Sequence, residues 1–170
     1  NEKIPYTLYK TGPFTEIPTE IKDSIEENCK KLKIENFEFF NDDMCIKFIK
    51  DNFKPHVLEA YNSLIPTAYK ADIFRLCVLY INGGIYGDLT QTFLKNYDVN
   101  ESGAHMILVK DRYVLNLSLN PIQISFMATV PNNEFFLYAI NQICNQIALK
   151  DKGRTPTDVT GPRAVGRHFK

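Results

Sequence analysis

The sequence predicts a single α/β domain whose sheet is mostly parallel in its first half. Short apolar runs alternate there with segments of helical periodicity, whereas strand-like runs dominate later. No linker, internal repeat or low-complexity tract divides the chain, and 170 residues suit one ordinary domain. We therefore expect one domain over residues 1–170, with a mixed sheet flanked by helices.

Two strands and three helices are predicted in the first part of the chain. The strands are short runs rich in aromatic residues, at residues 4–9 and 37–40. Apolar residues recur at helical spacing in three further segments, at 18–33, 42–53 and 55–64. Asp42 is the first residue of the second segment, and we expect its side chain to be the N-cap of that helix.

The next helix, at residues 67–81, is apolar on nearly all sides, so we expect it to be buried. Gly83 and Gly84 end it, and a short strand at 85–87 leads to Asp88. Three later runs are strand-like: 106–109, 113–119 and 124–130. A long helix is expected after Asn132 or Asn133, followed by a polar loop at 151–158 and a last helix from Thr160.

Composition narrows the class of protein. Hydrophobic residues make up 44% of the chain and charged residues 24%, which is typical of a soluble globular domain. The 20 basic residues balance the 20 acidic ones, which excludes a strongly basic nucleic-acid binder, and no nucleic-acid partner is expected. No apolar run reaches the roughly 20 residues of a membrane helix, so we expect no transmembrane segment.

The four cysteines indicate the cellular compartment, and the chain ends indicate the extent of the natural protein. No two cysteines have the spacing of a zinc or redox motif, which favours free thiols and a reducing intracellular compartment. The chain begins with Asn1, and the last helix is predicted close to Lys170. We expect the natural protein to continue past Lys170, so that the domain is truncated at its C-terminus.

Two charged residues interrupt the apolar helix. Asp72 and Arg75 are three residues apart and therefore share a face. A buried charge is costly unless it is paired or serves a ligand. The pattern fits a structural ion pair as well as a polar pair that lines a site.

The segment from Gly83 to Thr90 is the second candidate. It places a carboxylate, Asp88, at the carboxyl end of a predicted strand, where open α/β sheets bind ligands. Glycines at the start of this segment permit close approach of a ligand to the backbone. A tight turn in which Asp88 is only a turn residue is the alternative.

Residues 66–88, PTAYKADIFRLCVLYINGGIYGD, closely resemble the sugar-binding region of the DXD-motif glycosyltransferases. This is the family-32 group related to yeast initiating α-1,6-mannosyltransferase, capsular polysaccharide transferases and clostridial glucosylating toxins. Shorter likenesses occur at residues 4–5 and 9–11, 39–43 and 48–49, 126–131 and 160–162, although the usual His-Gln-Thr-Trp of the first strand is absent. The resemblance implies a GT-A-like fold, a Rossmann-type mixed sheet flanked by helices.

The resemblance also implies a set of donor-binding residues. Asp72 and Arg75 would contact the nucleotide ribose and the phosphate or sugar of a nucleotide-sugar donor, and Tyr86 would lie near the nucleotide. We add Gly83 and Gly84 to the predicted donor-binding set because of their backbone freedom.

Asp88 is the predicted catalytic residue and metal ligand. The family's Asp-x-Asp motif helps a divalent cation, usually Mn²⁺, hold the donor diphosphate, and here it reads Asp88-Leu89-Thr90. We therefore expect Mn²⁺ (or Mg²⁺) on Asp88, with the neutral hydroxyl of Thr90 as a possible second ligand. One anionic ligand is missing, and Asp98 and Asp111 are candidates to replace it.

The implied function is that of a retaining glycosyltransferase. It would move a sugar from a UDP- or GDP-sugar to a glycan or protein acceptor. The alternative is a degenerate relative that binds a nucleotide sugar or glycan with little turnover, as the loss of the second Asp suggests. A structural α/β domain with a coincidental motif is the third hypothesis, and nucleotide titration would separate it from the others.

Overall fold

The computed structural model describes residues 2–64, 67–110 and 122–149. The strand predicted at 113–119, the loop at 151–158, the helix from Thr160 and the candidate ligand Asp111 lie outside these residues. Within them, the fold is a mixed α/β arrangement, as predicted. No helix in these ranges has both the length and the apolar character needed to cross a membrane.

A five-stranded mixed sheet forms the centre of the described part. Its strands are β1 (Thr7–Thr11), β2 (Asn36–Phe40), β3 (Gly84–Gly87), β4 (Met106–Lys110) and β5 (Ile122–Thr129). Their order across the sheet is β2-β1-β3-β5-β4. β1 runs parallel to β2 and β3, whereas β5 is antiparallel to both β3 and β4. The parallel half predicted from the alternation of elements is therefore present, and it ends at β3.

Five helices flank the sheet in these ranges: α1 (Thr19–Lys31), α2 (Asp42–Asn52), α3 (Pro55–Ser63), α4 (Thr67–Asn82) and α5 (Glu134–Ala148). Each predicted helix in the described residues is present. The predicted N-cap of α2 was wrong by one residue. The cap is Asn41, whose side chain accepts a hydrogen bond from the amide of Met44 at 3.0 Å, and Asp42 is the first helical residue. Asp42 there adds negative charge to the positive end of the helix dipole.

The core lies on both faces of the sheet. On one face α4 is central, and all seven residues from Ile73 to Leu79 are buried against the other helices and β-strands. The opposite face is covered by α1 and the chain after β3, around Leu8, Leu32 and Ile85. All four cysteines are free thiols, three of them buried.

Two glycines make the sharp turn from α4 into β3. Gly83 has φ +65° and Gly84 has φ +106°, a region that L-residues with a side chain rarely adopt. A β-carbon at Gly83 would lie 2.6 Å from the Pro131 nitrogen, and one at Gly84 would lie 2.8 Å from the Thr7 carbonyl oxygen. The turn is therefore closed to larger residues by backbone packing.

Candidate functional site

A cleft of about 830 Å³ opens at the carboxyl ends of the three parallel strands. Its floor comes from the ends of β1, β2 and β3, and its wall from the first half of α4. This is the edge at which α/β sheets bind ligands. Of the predicted site residues, those on α4 and at the end of β3 line the cleft together: Asp72, Arg75, Tyr86, Asp88 and Thr90.

Arg75 is the centre of the polar contacts in this cleft. Its side chain is only 7% exposed. Nη1 donates to Asp88 Oδ1 at 3.0 Å and to the carbonyl of Ile124, and Nε donates to the Ala71 carbonyl. Nη2 lies 3.4 Å from Asp72 Oδ1. One guanidinium therefore orients two carboxylates and links α4 to β3 and β5.

Tyr86 is a buried wall of the cleft. Its ring lies under the Arg75 guanidinium in a cation–π contact, and the distance from the ring centroid to Arg75 Cζ is 4.6 Å. Its hydroxyl pairs with Thr11 Oγ1 at 2.8 Å. Burial raises the pKa of the Tyr86 phenol, so the ring stays neutral while it supports the guanidinium.

Asp88 stands at the mouth of the same network. Its carboxylate is 44% exposed, so it is open to a ligand on the side away from Arg75. Its backbone carbonyl accepts a hydrogen bond from the amide of Gln91 at 3.1 Å. This bond closes a β-turn over residues 88–91, the motif turn. Thr90 is exposed on this turn. The three-residue motif thus sits on one tight turn at the edge of the cleft.

Three of the residues that we considered for the site lie outside the cleft lining. Gly83 and Gly84 lie at the other end of β3 and do not line the cleft, because their positive φ values and close contacts serve the helix-to-strand turn. Asp98 is also outside the cleft lining, and it accepts a hydrogen bond from the Tyr6 hydroxyl at 2.7 Å and pairs with Lys33 at 3.0 Å. These two contacts, together with a hydrogen bond from the amide of Asn100, hold the pKa of the Asp98 carboxyl at about 2, below its usual range.

The cleft lining also contains a cluster of three side chains that the sequence analysis did not identify. The buried Tyr61 donates to Asp42 Oδ1 at 2.7 Å, and Lys70 Nζ lies 3.9 Å from the same oxygen and 5.3 Å from the Tyr61 ring centroid. Burial raises the pKa of Tyr61, which keeps it a neutral donor. Asp42 lies two residues after the end of the parallel strand β2, and that position was the available signal.

Few side chains in the cleft could serve as ligands of a divalent cation. Within the described residues, no three His, Cys, Asp or Glu side chains form a group that could hold a metal. The exposed Asp88 carboxylate and the neighbouring Thr90 hydroxyl are hard oxygen donors. They fit a Mg²⁺- or Mn²⁺-like cation that keeps several waters and takes its other ligands from substrate phosphates.

Relatives in sequence are glycosyltransferases. The chain is 31% identical over 153 residues to the uncharacterized glycosyltransferase L373 of Acanthamoeba polyphaga mimivirus, a match that covers 88% of this chain and 57% of that protein. It is 39% identical over 56 residues to the initiation-specific alpha-1,6-mannosyltransferase of Candida albicans, which covers 33% and 14% of the two chains. The chain therefore spans just over half the length of the first relative and a small part of the second.

A solved structure supports the same fold. The PaToxG glycosyltransferase superposes with a TM-score of 0.72 over 99% of this chain and 69% of that one, at 15% sequence identity. The sequence model of the glycosyltransferase sugar-binding region containing the DXD motif matches residues 18–114, which include α4, β3 and the motif turn. The chain belongs to the glycosyltransferase family defined by this DXD-motif region, and its mixed sheet has the GT-A fold.

Proposed function

We propose that this chain transfers a sugar from a nucleotide-sugar donor, bound in the cleft, to a glycan or protein acceptor. The observation that carries the proposal is the buried guanidinium of Arg75, which holds Asp72 and Asp88 at the carboxyl ends of the parallel strands. These residues lie inside the family's sugar-binding region. UDP- or GDP-sugars are the proposed donors, with the anomeric configuration retained.

Four residues of the cleft have a proposed task. The Asp72 and Asp88 carboxylates accept hydrogen bonds from hydroxyl groups of the donor, in orientations that Arg75 fixes. Arg75 also places one positive charge beside the departing nucleoside diphosphate, whose negative charge grows as the sugar leaves. Tyr86 keeps the guanidinium in place through its ring face and its hydrogen bond to Thr11.

Asp88 and Thr90 are the residues that would hold Mn²⁺ or Mg²⁺. A bound cation would supply further positive charge at the diphosphate. Because Thr90 contributes no charge, we propose that affinity for the cation depends on the donor phosphates more than in relatives with two carboxylates.

Calorimetric titration with UDP and with GDP, each with and without Mn²⁺, tests the proposal. We expect binding of at least one nucleotide that is stronger with Mn²⁺ and is abolished by Asp88→Ala. A matched control is Asp51→Ala, which removes an exposed carboxylate on α2 outside the cleft lining. Absence of nucleotide binding in every condition would exclude a donor site here.

A second candidate function is donor or glycan binding without turnover. The neutral Thr90 in place of an acidic ligand is the observation that favours it. Donor hydrolysis in the presence of Mn²⁺ separates the two, because a working transferase releases the sugar slowly to water while a simple binder does not. NMR of the anomeric proton of the released sugar then tests retention of configuration.

A further inference from the structure

A buried lysine donates a hydrogen bond to the backbone of the motif turn. Lys10 of β1 has no exposed surface, although its side chain carries an ammonium group. Nζ donates to the Asp88 carbonyl at 2.5 Å and lies 3.5 Å from the Gly87 carbonyl. Along β1, Lys10 shares its face with Leu8, whereas Thr11 points into the cleft. The ammonium therefore reaches the turn from the side opposite the cleft.

A second buried side chain holds the other end of the same turn. Asn28 of α1 is 1% exposed. Its Nδ2 donates to the Gln91 carbonyl at 2.5 Å, and its Oδ1 accepts the amide of Phe93 at 3.0 Å. Lys10 and Asn28 thus bind the carbonyls of the first and last residues of the turn that carries Asp88 and Thr90.

The fold itself does not require a charge at Lys10. A buried ammonium carries a large desolvation cost, and a methionine would fill the same space with none. The Asp88 carbonyl already accepts the Gln91 amide at 3.1 Å, so it would not be left without a partner. The ammonium is thus a costly group whose main polar contacts are to two residues at the edge of the cleft.

We propose that Lys10 and Asn28 are positioning residues of the donor site. They fix the backbone of residues 88–91 and, through it, the direction of the Asp88 carboxylate and the Thr90 hydroxyl. Neither residue lines the cleft. The ligand in this proposal rests on the proposed function, whereas the effect on the turn does not.

Hydrogen–deuterium exchange on the ligand-free protein tests the effect on the turn. The variants are Lys10→Met and Asn28→Leu, which keep the approximate size of each side chain and remove its hydrogen bonds. The control is Lys31→Met, which removes a lysine bond to the Phe93 carbonyl at 2.6 Å, beyond the turn. We expect the hydrogen-bonded amides of this turn, those of Asp88 and Gln91, to exchange about tenfold faster or more in the two variants and at the wild-type rate in the control.

Nucleotide affinity tests the consequence for the site. For the nucleotide that the wild-type protein binds with Mn²⁺, we expect affinity about tenfold weaker or more in both variants, as is typical when groups behind a ligand are removed. Thermal melting of Lys10→Met at pH 7 should show no loss of stability, a result that a purely structural lysine would not give.

Three results would overturn the proposal. They are unchanged exchange of residues 88–91 in both variants, unchanged affinity in variants of a protein that binds nucleotide, and a Lys10→Met protein that fails to fold. If the wild-type protein binds neither UDP nor GDP, the proposed function fails, while the exchange measurement still decides whether the two residues hold the turn.

Discussion

Arg75 joins three segments of the chain at the wall of the cleft. The spacing of Asp72 and Arg75 left open whether they form a structural pair or line a site, and the structure shows a pair that lines the cleft. The spacing could not predict the third partner, Asp88, because this residue follows β3 and lies beside Arg75 only in the folded structure. The guanidinium serves stability and orientation together.

Replacement of Arg75 by alanine should therefore reduce both stability and nucleotide binding. Loss of one member of a buried charge pair costs on the order of 3–5 kcal/mol, and the partial exposure of Asp88 should bring the loss toward the lower value. Urea denaturation measures the stability and calorimetry the binding. The control is Lys47→Ala, whose ion pair with Asp51 is exposed and should be worth less than about 1 kcal/mol. Equal losses in the two variants would contradict the central role of Arg75.

Lys10 should give the protein an unusual dependence of stability on pH. Burial lowers the pKa of Lys10 from 10.5 to about 8, partly opposed by Asp88 and then by Cys29. Below pH 8 the lysine is protonated in both states, and the folded state bears the full cost of the buried charge. Between pH 8 and 10.5 the unfolded chain binds more protons at this residue, so its contribution to folding rises with pH.

Comparison with Lys10→Met isolates this contribution. The free energy of unfolding of the wild-type protein, minus that of the variant, should increase by up to about 3 kcal/mol between pH 7 and 10.5. Urea denaturation of both proteins at several pH values measures the difference, and the other titrating groups cancel in it. Parallel stability curves would show that the pKa of Lys10 is close to its ordinary value in the fold.

At the level of elements, the turn from α4 into β3 joins the helix and the strand that carry the site. Gly84→Ala should lower the free energy of unfolding by more than about 3 kcal/mol, because the new β-carbon meets the Thr7 carbonyl at 2.8 Å in a left-handed backbone. Gly103→Ala is the matched control, since Gly103 has φ +70° with no atom within 4 Å of the new carbon. It should cost only about 1–2 kcal/mol. Similar losses at both positions would mean that the backbone relaxes around Gly84.

The elements themselves were readable from the sequence, and their contacts only in part. The long apolar segment at residues 67–81 predicted α4, and its lack of a polar face predicted its burial, which the structure confirms. The cap of α2 was misplaced because Asn41 and Asp42 are both good capping residues. Lys10 was overlooked because its partners come from β3, and the sheet order that makes β1 and β3 neighbours does not follow from local pattern. A charge directly after the apolar run 4–9 was the signal for it.

For the whole molecule, ligand binding should appear as thermal stabilisation. A nucleotide at 100 times its dissociation constant adds about 2.7 kcal/mol to stability, which raises the Tm of a domain of this size by several degrees. We expect this shift with Mn²⁺ and UDP or GDP, and none for Asp88→Ala.

Thr90→Asp adds a carboxylate at the proposed cation site, whereas Asp88→Ala removes one. It replaces a neutral oxygen with an anionic one, so the shift should appear at lower Mn²⁺ concentration than in the wild-type protein. An unchanged Mn²⁺ dependence in Thr90→Asp would show that the side chain at this position does not reach the cation.

The anchoring of the motif turn from the opposite side of the sheet changes how sequence variation in this chain should be interpreted. In a saturation mutagenesis screen scored on donor binding, sensitive positions should include Lys10 and Asn28, although neither touches the cleft. A survey that ranks positions by distance from the ligand would classify changes at these two as harmless. For donor binding, we therefore expect tolerance to substitution to depend on contacts with the backbone of residues 88–91 as well as on distance from the ligand. A redesign of donor preference should leave Lys10 and Asn28 unchanged.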